Sequence, residues 1–236
     1  TLYKFGPQWG LTDPSPFCMK LESFLRLNDI NFKYGGRDIR KSLKNAPKQK
    51  LPFVVFENGD QMGDSNLIIK RLSAERGIDM NAALTAEQRG IAHAYCRMLD
   101  EATYFTALYA RWIDEPGWSV MKDTFFSALP ALLRGYICAK IQKDKIKHLD
   151  MQGIGRHSKE DIYAFAQADM DALSALLGDK TWFFGADTPT LLDIWAHAFV
   201  IQTIVPPIDM PLKTHTLSLQ NLCDHAHRFQ ELVYKK

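Results

Sequence analysis

Hydrophobic spacing changes character about a third of the way along this chain. Near the start, apolar residues come in short unbroken runs. Leu2 to Phe5 reads as a strand, and Phe53-Val54-Val55-Phe56, β-branched and aromatic throughout, as a strand buried on both faces. Between and after these runs the period lengthens. Phe17, Leu21, Phe24 and Leu25 predict a helix over Pro16 to Asn28. Ile68, Ile69 and Leu72 predict another, opened by Asp64-Ser65 and ended at Gly77. Asn31 to Tyr34 is a weaker strand closed by Gly35-Gly36, and the polar stretch Asp38 to Lys50 a short irregular helix. Asn58-Gly59-Asp60 is a hairpin signal that returns Gln61 to Gly63 antiparallel. The order β-α-β-α-β-β-α over residues 1–77 describes a small α/β layer structure.

After a linker over 78–84, residues 85–236 read as helix alone. Thr85 with Gln88 forms a capping box for a long helix reaching Trp112, and Glu115-Pro116-Gly117 then breaks the chain. A helical segment continues to about Lys147, restarted or kinked at Pro130. Ser158 with Asp161 opens a helix that carries Ile162, Phe165, Ala166, Met170, Leu173 and Leu177. Thr190 with Asp193 opens the most apolar helix, stopped by Pro206-Pro207, and a last helix covers Leu217 to Val233.

Composition narrows the class. The 236 residues carry a net charge of +2, too little to argue for nucleic acid or a membrane surface. No run reaches the roughly 18 apolar residues of a membrane span, and the start of the chain reads as strand rather than signal peptide. Lys140, Lys143, Lys145 and Lys147 read as a solvated helix face. Cys18, Cys96, Cys138 and Cys223 show no CxxC pairing, which fits free thiols in a reducing, cytoplasmic compartment. Cys223, His225 and His227 invite a metal reading, but alternate helical positions point apart and no second cluster completes a zinc set. No metal is expected.

The stretch with candidate chemistry is Ser15-Pro16-Phe17-Cys18. Ser15 stands where a strand hands over to a helix, with proline in the first helical turn. Free amides and the positive end of the helix dipole suit an anion there, including a thiolate. Ser15 is read either as the partner of such an anion or as a plain N-cap. Cys18 is read as a small apolar filler on the inner face of the helix.

Taken in order, a first strand, SPFC before a helix, Lys50-Leu51-Pro52 before a strand, and Asp64-Ser65 opening a helix resemble the thioredoxin-like domain of glutathione transferases. The helical remainder, with Thr190-x-x-Asp193 opening a buried helix, resembles their all-α C-terminal domain. Gly153-Ile154-Gly155-Arg156-His157-Ser158, and Leu177-Gly178-Asp179-Lys180 ahead of Thr190-Leu191-Leu192-Asp193, are similar to the failed-axon-connections and metaxin-like branch.

The resemblance implies a fold of two domains, 1–77 thioredoxin-like α/β and 85–236 all-α, with a cleft between them. It implies glutathione as co-substrate and a small-molecule electrophile as partner. Ser15 would donate to the glutathione sulfur. Leu51 would exchange backbone hydrogen bonds with its cysteinyl part, beside a cis bond to Pro52. Asp64 and Ser65 would hold the γ-glutamyl group, and Lys50 the glycyl carboxylate. Tyr95, Tyr104, Tyr109, Arg111 and Trp112 are the candidates for the acceptor pocket. A homodimer is expected. The rival implied by the same resemblance is a non-catalytic adaptor of the metaxin or failed-axon-connections type, since a transferase fold persists without catalysis.

Overall fold

A computed structural model describes residues 1–36 and 38–235; Lys236, the last residue of the expected helical domain, lies outside them. The N-terminal part is built on a three-stranded antiparallel sheet in the order β1 (Leu2–Tyr3), β2 (Phe53–Val55), β3 (Gln61–Gly63). Val54 faces Leu2 on one side and Met62 on the other. The rings of Tyr3 and Phe53 stack 4.2 Å apart on one face. α1 (Pro16–Leu27) and α3 (Ser65–Arg76) lie on the sheet, and α2 (Ile39–Asn45), capped by Asp38, precedes the bend into β2.

The expected strand at Asn31 to Tyr34 shrinks to one parallel bridge between Leu2 and Tyr34, held by Leu2 N–H to Lys33 and Gly35 N–H to Leu2, both 2.8 Å. The Tyr34 side chain reaches back to α1, its hydroxyl donating to buried Glu22 at 2.7 Å. Gly35 lies under the Tyr3 ring, where any Cβ would meet ring carbons at 2.5 Å, so the chain leaves the sheet there.

The helical part comprises α4 (Ala86–Met98), α5 (Tyr104–Trp112), α6 (Glu115–Phe126), α7 (Ala131–Gln152), α8 (Lys159–Leu177), α9 (Leu191–Ile204), α10 (Pro211–Ser218) and α11 (Gln220–Tyr234). The Thr85–Gln88 box forms as expected: Gln88 N–H donates to Thr85 Oγ1 at 3.2 Å, and Thr85 N–H to Gln88 Oε1 at 2.9 Å. The long helix to Trp112 is interrupted by a π-helical turn over Leu99–Thr103. The expected break follows Trp112 but falls at Ile113-Asp114, and Glu115-Pro116-Gly117 starts α6: Pro116 falls in its first turn, and Gly117 lies so close to α5 that a Cβ would reach the Ala110 carbonyl oxygen at 1.8 Å. The last helix expected over Leu217 to Val233 is α11, starting at Gln220 after a bend at Leu219 (φ −89°, ψ 77°), and α10 before it is a helix that was not expected.

The main core crosses from one part to the other. Met19, Leu21 and Phe24 of α1 share it with Ile194, Ala198 and Ile201 of α9 and with Phe229 of α11. α9 is buried almost all round, as a central helix must be. Its start is fastened by Asp193, whose carboxylate accepts from Thr190 N–H and Oγ1, both at 2.7 Å, from Phe183 N–H at 3.1 Å and from His225 Nε2 at 2.8 Å.

Candidate functional site

A cleft of about 680 Å³ opens between the two parts. It gathers Ser15, Lys50, Leu51, Pro52, Asp64 and Ser65, six positions scattered over fifty residues of sequence.

Ser15 caps α1 from extended backbone (φ −104°, ψ 125°). Its Oγ accepts from the Cys18 amide at a long 3.5 Å, so its proton is free to be donated elsewhere. Buried Asp13, which sequence reading passed over, fixes the approach. Its carboxylate accepts from Gly6 N–H and from Ser15 N–H, each at 2.9 Å. Burial pushes Asp13 up to about 6, against the lowering influence of those two amides and of Lys4. Cys18 is fully buried behind Ser15, and burial together with the Asp13 charge holds its thiol well above the usual range. That is the filler role expected of it.

The bond between Leu51 and Pro52 is cis. Leu51 is buried, yet neither its N–H nor its C=O finds a hydrogen-bond partner among the described residues. Unpaired buried backbone groups at a cleft wall are what an extended peptide ligand requires. Asp64 caps α3, accepting from Asn66 N–H at 3.0 Å and Leu67 N–H at 3.2 Å. It does so from φ +85°, a conformation that costs a non-glycine residue about 1–3 kcal/mol. Ser65 beside it is buried at the helix N-terminus. Lys48 comes within 3.5 Å of Asp64, and Lys50 stands exposed on the rim.

The floor is a buried charged cluster that no motif announced. Lys20 of α1, wholly inaccessible, donates to Asp100 at 2.7 and 3.0 Å and to Asn66 Oδ1 at 2.8 Å. Asn66 Nδ2 (2.8 Å) and Trp195 Nε1 (3.0 Å) also donate to Asp100. The ammonium lies 4.1 Å from the Trp195 ring. Burial lowers the Lys20 pKa, and Asp100 opposes that. Asp100 is in the π-helical turn, whose extra residue displaces the helical register, and Asn66 and Asp100 both reach the cleft. The sequence held a hint in Lys20, a charge on the apolar face of a helix otherwise reading as core.

The opposite wall is aromatic: Tyr104, Phe105 and Trp112 of α5, with Ile141, Asp144, Lys145 and His148 of α7, and Phe17 of α1 reaches across to it. Phe17 meets Tyr104 edge to face at 4.8 Å. Tyr104 and Trp112 are thus where the pocket was expected, and three other candidates are not. Tyr95 is turned into the helical part, its hydroxyl on the Ala172 carbonyl at 3.2 Å. Tyr109 packs on Tyr163. Arg111 points under the Ser15 loop, donating to the Pro14 carbonyl at 2.6 Å and to Gln202 O and Oε1 at 3.0 and 2.6 Å. Tyr104 and Arg111, seven residues apart, lie on one stripe of α5, but Arg111 is two turns further along and meets the Ser15 loop instead of the cleft. Arg111 braces the loop rather than lining the cleft.

Cys223, His225 and His227 diverge on α11: His225 is buried against Asp193, Cys223 Sγ faces the Thr216 carbonyl at 3.4 Å, and His227 is exposed. Among the described residues no helix is long and apolar enough to cross a membrane.

Comparison with known proteins agrees with this architecture. Residues 16–117 match the glutathione S-transferase N-terminal domain, and residues 166–229 the glutathione S-transferase C-terminal domain. Isoprene-epoxide–glutathione S-transferase of Rhodococcus sp. strain AD45 is 33% identical over 78% of this chain and 79% of its own length. Failed axon connections of Drosophila melanogaster is 33% identical over 99% of this chain, which spans 57% of that longer protein. Metaxin-1 of Bos taurus is 24% identical over 99% of this chain and 74% of its own. The fold is shared with a β-etherase of Sphingobium sp. strain SYK-6 (TM-score 0.66, 13% identity, 97% of this chain and 93% of that one). It is shared too with a glutathione S-transferase of Methylobacillus flagellatus solved with glutathione bound (TM-score 0.59, 13% identity, 98% and 95%). By sequence, two-domain fold and relatives together, the chain belongs to the glutathione S-transferase family, in the branch of Failed axon connections and Metaxin-1.

Proposed function

We propose that this protein binds glutathione along the N-terminal wall of the cleft and transfers its thiolate to an electrophile held by the aromatic wall. One observation carries the reading. Ser15, the unpaired backbone of Leu51, and the Asp64-Ser65 helix start converge on one cleft, beside an apolar pocket of suitable size. In this reading Leu51 pairs with the peptide backbone of glutathione, and Asp64 and Ser65 take its γ-glutamyl end. Lys50 takes the glycyl carboxylate. Ser15 donates to the sulfur.

The energetics suffice. A free thiol has a pKa near 8.5, and lowering it by about two units requires roughly 2.7 kcal/mol in favour of the thiolate. One hydroxyl hydrogen bond to a charged group supplies about 1.5–3 kcal/mol, and the start of α1 adds to it. Ser15 needs no basic partner for this. The thiolate attacks carbon, forming the C–S bond as the leaving group departs with its electron pair or a ring oxygen opens. The proton of the thiol has already passed to solvent. The four free cysteines support a reducing setting such as the cytoplasm.

Calorimetric titration with reduced glutathione tests the binding half, with an affinity expected in the micromolar to millimolar range. The ultraviolet absorbance of the bound thiolate against pH tests the other half. A second reading, an interaction module on the same fold, is favoured by the alignment of Failed axon connections and Metaxin-1 along 99% of the chain. It gains from Asp64 being engaged already by two amides and Lys48. A saturating titration with neither heat nor thermal shift makes it the leading reading.

A further inference from the structure

The cleft holds a cation that the glutathione contacts above leave unused. Ile141, Asp144, Lys145 and His148 recur on α7 at three- and four-residue steps, so one face of that helix forms the far side of the cleft. The Lys145 ammonium lies 5.3 Å from the centre of the Trp112 ring. Lys50 approaches from the other domain, near enough that its charge, after burial, lowers the Lys145 pKa, while Asp144 opposes the shift.

Lys50 and Lys145 form no ion pair among the described residues, whereas the other acids of the cleft are engaged: Asp100 with Lys20, Asp64 with Lys48, Glu101 with Arg97. Asp144 is exposed and offsets a single charge. Two like charges carried toward each other repel; with Lys50 offset by the glycyl carboxylate, Lys145 is left as a cation of the cleft with no anion of its own among the described residues. Beside Lys145 the wall is flat and aromatic.

We propose that the acceptor of this cleft is an aromatic electrophile bearing a carboxylate, and that Lys145 is the residue that selects it. Lys50, on the opposite wall, is taken by the glycyl carboxylate in the transferase reading, which leaves Lys145 to the acceptor. The inference rests on the transferase reading and names its substrate class. In displacement on such a ring, the glutathione sulfur forms the C–S bond and the halide leaves with the C–halogen electron pair.

The probes are 4-chloro-3,5-dinitrobenzoate and its methyl ester, each rate divided by its uncatalysed rate with glutathione. The carboxylate is expected to win in kcat/KM by about tenfold, mostly through KM, as one charge-assisted contact provides. Lys145→Gln should abolish the preference, and Lys145→Arg should keep it. Equal treatment of the two probes by the wild type overturns the proposal. So does a Lys145→Gln variant that slows both alike, or one that weakens glutathione binding while the preference stands; the last assigns Lys145 to the glycyl carboxylate.

A binding arm separates this failure from failure of the transferase reading. Unreactive 3,5-dinitrobenzoate and its methyl ester are compared by quenching of tryptophan fluorescence, in wild type and Lys145→Gln. Lys145-dependent preference for the acid, without glutathione binding, keeps the anion site and removes the transferase. Glutathione binding and ester conjugation without that preference do the reverse.

Discussion

The two walls of the cleft are made in different ways. The N-terminal wall is backbone: a helix cap at Ser15, a cis bond at Leu51-Pro52, a strained cap at Asp64. The helical wall is side chains, Tyr104 and Phe105 at one turn of α5, Trp112 at its end and Lys145 on α7. Backbone geometry tolerates few alternatives and suits an invariant co-substrate. Side chains on helix faces exchange freely and suit a variable one. Between them, Lys20 and Asp100 join α1 to the π-helical turn, so the floor belongs to both.

The largest expected effect comes from cutting that floor. Lys20→Met leaves Asp100 buried with its counter-charge gone, a loss of about 3–5 kcal/mol of stability, read from the urea midpoint. Pairing it with Asp100→Leu should recover much of the loss. If Lys20→Met alone unfolds at the wild-type midpoint, the two walls are not joined through this pair.

Asp13 supports the first wall, and its contribution has a defined sign. Its folded pKa of about 6 lies above the ordinary carboxylate value, so folding favours the protonated form. Stability is then greatest with Asp13 protonated and falls as pH rises from about 4 to 6, by roughly 2–3 kcal/mol. Unfolding curves across that window should show a fall in wild type that Asp13→Asn lacks.

Asp64→Ala should weaken glutathione ten- to a hundredfold by titration, the value of a charge-assisted hydrogen bond at about 1.5–3 kcal/mol, with little change in the aromatic wall. Ser15→Ala should leave that affinity nearly intact while the bound thiol titrates higher, lowering turnover at neutral pH about tenfold. Coincident thiolate titrations for wild type and Ser15→Ala would reduce Ser15 to a turn residue. The smallest change is expected on the second wall. Phe105→Leu conserves most of the apolar volume and should raise the acceptor KM a few-fold, within about 1.5 kcal/mol, with the glutathione affinity unmoved. A Phe105→Leu variant that loses glutathione binding would show that the walls do not act separately.

What sequence alone determined was local. Ser15, Leu51-Pro52 and Asp64-Ser65 were legible because caps and prolines act on the backbone within a few residues, and their order along the chain marks the fold. The helical run, its Thr85 and Thr190 starts and the buried α9 were legible from period and composition. Tertiary structure decided the rest. One π turn sets the rotation of α5 as a whole relative to α4, a phase no residue count supplies, and with it Tyr104 lines the cleft while Arg111, two turns further along the same stripe, lies under the Ser15 loop. A strand of four residues dwindled to a bridge where Gly35 passes under the Tyr3 ring, more than thirty residues away in sequence. Lys20 met Asp100 across eighty residues, where the cost of burying each charge is offset only by the presence of the other. Caps and turns are short-range interactions and stand in the chain as written; rotation, burial and charge pairing exist only once distant segments are packed together.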